Sequence, residues 1–187
     1  MVDKIEPTED FFRHALDVLK EQDTNPYAWD KPYKAANREP TVTVPILEAV
    51  ELRKDISRLI RNSGANVHVG DGYPGYSFGE DKVCIPHPTQ FTSEDTFYHS
   101  LFHEMGHWTA QRLYRMSMPL GCTSDRMNAV EEIVAELIAV FLCAAYKVKG
   151  YAHASYITGF GELLQKGDAK YAMREAVKAT RLLLKYQ

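Results

Sequence analysis

Apolar positions recur at helical spacing through most of this chain and at strand spacing in one short stretch. Phe12, Ala15, Leu16 and Leu19 form one stripe over residues 9–21, which predicts a short amphipathic helix. Residues 23–45 carry Pro26, Pro32, Pro40 and Pro45 with little period, so an extended arm is expected there. Pro45 suits the first turn of a helix reaching about Asn62, with Ile46, Ala49, Val50, Ile56, Leu59 and Ile60 on its apolar face. Three strand-like pieces follow at 65–69, 75–79 and 82–86, separated by Gly70-Asp71-Gly72 and Gly79-Glu80-Asp81. They read as a small antiparallel meander whose last strand, ended by Pro86 and Pro88, lies at a sheet edge.

The remainder has a helical period. Thr92-Ser93-Glu94-Asp95 has the form of a capping box opening a helix to about Met116. A loop over 118–124 leads to a long helix, about 127–147, apolar on most sides and therefore expected in the core. Helices near 152–166 and 168–186 close the chain. The predicted fold class is α+β: a small antiparallel sheet, a helix bearing the candidate chemistry, and a helical C-terminal half. Residues 1–41 form an N-terminal helix and extended arm, and 42–187 form one domain.

Composition agrees with a single globular domain, with 187 residues of which 45% are hydrophobic and 25% charged. The net charge of −3 excludes a histone-like mode of nucleic-acid binding. It conceals an asymmetry: residues 1–30 hold three basic and eight acidic side chains, and residues 147–187 hold eight basic and three acidic. The basic excess is concentrated on the last helix, where Lys166, Lys170, Arg174, Lys178 and Lys185 recur beside Ala169, Ala172, Ala176, Ala179 and Leu183. The small residues predict close helix packing. The basic ridge is a solvated face or a weak, sequence-blind nucleic-acid contact.

Cys84, Cys122 and Cys143 are widely spaced with no CxxC, which fits a reducing compartment; Cys84 and Cys143 are expected in the core. The N-terminus lacks a basic-then-apolar leader, and the apolar run Ile133–Tyr146 contains Glu136 and is too short to span a bilayer. A cytoplasmic protein without membrane contact is the expectation.

The strongest chemical signal is His103-Glu104-Met105-Gly106-His107. Histidines four apart share one helix face, so their imidazoles can converge on one Zn²⁺, and Glu104 between them can act as general base toward a water. A third ligand is needed. Ala110 and Leu113 occupy the positions that a longer three-histidine motif would require, so a carboxylate from a later helix is expected instead. Glu132 and Glu136, four apart in an apolar segment, share a face, and a buried carboxylate needs a metal or a donor. Glu132 is assigned as third ligand and Glu136 as the partner behind a ligand histidine, the alternative for Glu136 being an ion pair with a residue such as Arg112. Glu131 is read as solvated, and Asp125 as the weaker alternative ligand. Tyr156 is preferred over His153 as the donor to a tetrahedral oxyanion. The strand around Tyr76-Ser77-Phe78 could pair with an extended peptide if it is the edge beside the histidine helix. His87 and His99 are read as surface or capping residues. These roles describe a zinc peptidase acting on a protein or peptide substrate, against a metal-stabilised binding protein as the alternative.

Residues 42–184 resemble the zincin-like metallopeptidase domain of ArdC-type antirestriction proteins and of related polyvalent proteins carried by plasmids and phages. The matching residues are Tyr76, Asp81-Lys82-Val83-Cys84-Ile85-Pro86, Phe91, Tyr98, the His103–His107 motif with Trp108-Thr109, Glu131–Leu137, Phe141-Leu142 and Tyr156-Ile157. The resemblance implies a zincin fold, a zinc or similar divalent ion held by His103, His107 and Glu132, and peptidase-type chemistry in an antirestriction setting. Such relatives often carry a single-stranded-DNA-binding domain first; residues 1–41 are expected to be too few for one.

Overall fold

The computed structural model describes residues 43–70, 72–115, 124–149, 165 and 167–187. In chain order these form β1 (Val44–Pro45), α1 (Ile46–Ala49), α2 (Lys54–Ser63), β2 (Asn66–Gly70), β3 (Gly75–Ser77), β4 (Lys82–Pro86), α3 (Glu94–Arg112), α4 (Ser124–Tyr146) and α5 (Asp168–Leu183). Short 3-10 turns lie at Pro88–Gln90 and Leu184–Tyr186. The helices expected at 9–21 and 152–166, with Cys122, His153 and Tyr156, lie outside the described residues.

The α+β plan holds, but the sheet is mixed rather than an antiparallel meander. Its order is β1-β2-β4-β3, with β2 and β4 parallel (Val67 opposite Val83, Val69 opposite Ile85) and the outer pairings antiparallel. Burial explains the order. Val67, Val69, Val83 and Ile85 are all buried, so placing β2 beside β4 merges two apolar rows into one face. β3 has no fully buried residue and takes the edge. Pro86 therefore ends an interior strand rather than an edge one; it sits opposite Gly70 at the end of the ladder, where its missing N–H costs no mid-strand bond.

The helix expected over 45–62 is interrupted. Val50 is extended (φ −131°, ψ 130°), and α2 starts only at Lys54. The extended link carries Leu52 into the core and lets the Arg53 N–H donate to Tyr98 Oη at 2.9 Å. The Arg53 guanidinium meanwhile reaches Asp55 and the carbonyl of Tyr146 (both 2.6 Å). The bonds to Tyr98 and Tyr146, both distant in the chain, outweigh local helix propensity.

At the start of α3 the capping box sits one residue later than Thr92 and Asp95 suggest. Ser93 Oγ accepts from Thr96 N–H and Thr96 Oγ1 accepts from Ser93 N–H, both at 3.1 Å. α4 is buried on most sides, as its pattern predicts, and packs against both α3 and α5. α5 approaches through Ala172, Ala176, Ala179 and Leu183, all buried, while Ala169 is exposed at the mouth of the stripe. Among the described residues no helix is long and apolar enough to cross a membrane.

The α3–α4 crossing is tightest at Gly106. A Cβ there would lie 3.0 Å from Ala135 Cα and 3.2 Å from its carbonyl oxygen. Neither atom can swing aside, so a side chain forces the helix backbones apart. Gly106→Ala should therefore lose about 1 kcal/mol net: overpacking costs about 1–3 kcal/mol, against a helix-propensity gain of about 1 kcal/mol. Denaturant unfolding of the metal-free proteins checks this; a variant as stable as its parent would show that the crossing has slack.

Candidate metal centre

α3 and α4 cross so that a row of histidines faces a row of glutamates. His103 Nε2 lies 3.3 Å from Glu132 Oε2, His107 Nε2 lies 3.5 Å from Glu132 Oε1, and the two Nε2 atoms are 3.2 Å apart. These three residues form the cluster of potential ligand atoms within 4.8 Å of one another found among the described residues. A tetrahedral cation held at about 2.0–2.1 Å by nitrogen and oxygen separates its ligand atoms by about 3.4 Å. The spacing fits.

Both histidines are held from behind. His103 Nδ1 meets Glu136 Oε2 at 3.1 Å, and His107 Nδ1 meets Glu131 Oε1 at 3.3 Å. A carboxylate at Nδ1 keeps a proton on that nitrogen and leaves Nε2 available to coordinate a cation. Glu136 lies against His103, and Arg112 pairs with Asp81. Asp125 is exposed at the start of α4.

Glu131 corrects the expectation of a solvated side chain. It is largely buried, with 17% of its side chain exposed, because the guanidinium of buried Arg115 folds back over it (Nε to Oε2 3.0 Å, Nη2 to Oε1 2.7 Å). Arg115 also donates to Thr109 Oγ1 and the carbonyl of Gly106, tying the turn after α3 to the motif itself. Charge balance points the same way. Glu104, Glu131, Glu132 and Glu136 against Arg115 leave the site negative when the imidazoles are neutral, which a divalent cation offsets.

Without a cation, protons take up that charge. Burial alone would lower the pKa of His103, but Glu132 and Glu136 outweigh it and push it up to about 10. Burial likewise opposes, and Glu131 and Glu132 outweigh, for His107, at about 9. Burial would raise Glu132, yet the two imidazoles hold it down to about 2. Glu104 behaves differently: burial raises it above the ordinary carboxylate range, although the nearby imidazoles pull the other way. A carboxylate of raised basicity beside these imidazoles accepts a proton more readily than an ordinary one.

Two features border the centre. β3 is the sheet edge that touches α3, as the peptide-pairing expectation requires. It is pinned there: Tyr76 Oη donates to Asp81 (2.6 Å), Arg112 grips the same carboxylate with two nitrogens (2.6 and 2.8 Å), and Gln111 donates to the carbonyl of Phe78 (2.8 Å). Beside His107 and Glu132 opens a cavity of about 100 Å³, walled by Phe78, Met127, Val130 and Tyr171.

Residues 54–178 match the zincin-like metallopeptidase family. The chain belongs to that family. The resemblance to ArdC-type proteins is borne out at the level of structure. The Mn(II)-bound crystal structure of the antirestriction protein ArdC from the R388 plasmid superposes with a TM-score of 0.62 at 26% identity, covering 73% of this chain and 53% of ArdC. The metal-free ArdC structure superposes with a TM-score of 0.59 at 25% identity. A DNA primase TraC of Escherichia coli is 31% identical over 114 residues, 57% of this chain and 8% of TraC. The protein y4eC of Sinorhizobium fredii (strain NBRC 101917 / NGR234) is 27% identical over 143 residues, 74% of this chain and 46% of y4eC. The chain thus spans less than half the length of these curated relatives.

Within this zincin-like chain, sequence reasoning missed Glu131, Arg115 and His99. His99, expected at the surface or at a cap, is fully buried, because it lies one turn before His103 on the face that meets α4. The signal that could have found it is the four-residue spacing of His99, His103 and His107 against that of Glu132 and Glu136. His87 does serve as a cap, accepting from Thr89 N–H at the start of its 3-10 turn. Cys143 is buried in the core, whereas Cys84 is only half-buried.

Proposed function

We propose that this protein is a zinc-dependent peptidase in which His103, His107 and Glu132 hold Zn²⁺ and Glu104 is the general base. The observation that carries the reading is the mutual spacing of the two Nε2 atoms and the Glu132 carboxylate at 3.2–3.5 Å. Bound there, a divalent ion supplies Lewis-acid activation of a water and of the scissile carbonyl. The chain supplies the rest. Glu104 accepts the proton of the attacking water at its carboxylate and returns it to the leaving amine. Glu136 and Glu131 hold the two imidazoles in the tautomer and orientation that coordination needs. The edge of β3 offers backbone groups to an extended substrate, and the cavity walled by Phe78, Met127, Val130 and Tyr171 receives one of its side chains. Tyr156, which lies outside the described residues, is the proposed donor to the oxyanion. The Mn(II)-bound state of the ArdC structure supports divalent-cation binding by this chain. The test is peptide hydrolysis by the zinc-loaded parent compared with Glu104→Gln.

A second reading is that the folded, metal-bearing domain blocks a restriction or other defence component by binding alone. The structural likeness to an antirestriction protein favours it. Protection that survives in Glu104→Gln while hydrolysis is lost would select it.

Nucleic-acid contact through α5 and the turn after it is the remaining proposal, supported by the name of the TraC relatives and by exposed basic residues, Lys170, Arg174 and Lys178 on α5 and Lys185 in the turn. Arg174 and Lys178 each pair with buried Glu175 (3.0 and 2.9 Å), so part of the ridge's charge is already neutralised. Few net phosphate contacts are then available. Binding to single- or double-stranded DNA should be weak at 50 mM salt and fall about tenfold or more by 200 mM, since two to four phosphate contacts set a shallow counterion slope. A fluorescence titration showing no binding at low salt removes this proposal.

A further inference from the structure

The row of histidines does not end at the cation ligands. His99 is fully buried one turn before His103, and its Nε2 meets Glu136 Oε1 at 3.2 Å. The other oxygen of that carboxylate meets His103 Nδ1 at 3.1 Å. Beyond His99, its Nδ1 lies 3.6 Å from Cys143 Sγ. Cys143, His99 and Glu136 are each at most 1% exposed, so water does not compete along this chain of groups.

We infer that His99 is a positioning residue for the metal centre: through Glu136 it fixes the orientation and tautomer of His103. The inference rests on the proposed ligand role of His103.

The argument is one of hydrogen-bond supply. A carboxylate as deeply buried as Glu136 is costly unless both oxygens receive donors. For His103 to coordinate through Nε2, its Nδ1 must carry the proton and give it to Oε2. Oε1 then needs a second donor, and His99 Nε2–H provides one from the opposite side. The remaining lone pair on His99 Nδ1 can accept the Cys143 thiol proton, which burial keeps on the sulfur. The two imidazole donors then converge on Glu136, His103 from the cation side and His99 from the side of Cys143. Remove the His99 donor and the carboxylate loses the bond that fixes Oε1. Glu136 can then rotate, and that rotation releases the His103 ring.

The experiment measures zinc affinity by chelator competition on parent, His99→Leu, His99→Gln, His99→Asn and His103→Ala, each first checked for folding by circular dichroism. The Gln amide nitrogen can occupy the place of imidazole Nε2; that of Asn falls short of it. His99→Leu is expected to weaken zinc binding by about 10- to 100-fold, the range for a lost partner behind a ligand histidine, with His99→Gln within about threefold of the parent on the same scale. A purely structural role for His99 would lower the unfolding temperature of the Leu and Gln variants alike without this split in affinity. If His99→Leu does not fold, Asn against Gln makes the comparison, with Asn expected at least tenfold weaker. Leu within threefold of the parent, or Gln as weak as Leu or Asn, overturns the positioning role while leaving the ligand assignment intact. A parent that binds no zinc, or His103→Ala binding like the parent, overturns the ligand reading and this inference with it.

Discussion

Glu104→Gln should cut kcat for peptide hydrolysis by about 10²- to 10⁴-fold, the usual worth of a positioned general base, and leave zinc affinity essentially unchanged. The amide keeps the shape of the carboxylate and cannot accept the proton. Affinity is spared because Glu104 is not in the cluster of ligand atoms, which comprises His103, His107 and Glu132. Stability should not fall either. Glu104 is buried and its carboxyl pKa is raised mainly by that burial, so replacing a costly charge with a neutral isostere is neutral or favourable to the fold. Turnover, zinc content and unfolding temperature measured on one preparation separate the possibilities. Retention of more than a tenth of parental turnover would remove Glu104 from the base role. Loss of zinc in the variant would mean that it helps to hold the ion.

The parts of this centre that were legible in the sequence are those set by spacing within one helix. His103 and His107 are four apart, and so are Glu132 and Glu136; each pair shares a face whatever the rest of the chain does. What spacing cannot specify is how one helix is rolled against another. That is settled at Gly106 and Ala135, and the roll brings Glu131 under His107 instead of into solvent. Arg115 was invisible for a related reason. It lies past the end of α3, in a turn where Tyr114 adopts a left-handed φ of 54° and the Arg115 N–H returns to the Ala110 carbonyl. No periodicity reaches such a residue. His99 was legible in principle, but a lone polar residue on a helix is ordinarily read as exposed until its partner is known. The sheet shows the same limit. Alternation located β2 and β4 within a residue or so, yet alternation carries no information about which strand is whose neighbour, and the neighbours here were chosen by merging apolar faces.

Zinc affinity should rise steeply with pH, and the protons on the histidines determine how steeply. In the metal-free protein the carboxylates raise His103 and His107 to about 10 and about 9, so at neutral pH protons sit where the cation must go. Their Nε2 atoms are only 3.2 Å apart, which suits one proton shared between the rings, so at least one is displaced on binding and two at most. Glu132, held near 2, is already ionised and contributes nothing to the slope. Log affinity should therefore climb by at least about one per pH unit between pH 6 and 8, roughly 10²-fold or more across that window, and level off as pH passes the histidine values. The stability of the metal-free protein should run the opposite way. Groups whose pKa is raised on folding stabilise fully below the unfolded histidine value of about 6.5 and lose that contribution as pH rises toward 9 and 10. Zinc-loaded protein should show no such loss, because the cation replaces the protons. Chelator competition and urea unfolding at several pH values, with and without zinc, read both slopes. A zinc affinity that changes less than threefold from pH 6 to pH 8 would mean that the cation displaces no proton from these rings, and with that the assignment of both histidines as ligands would fail.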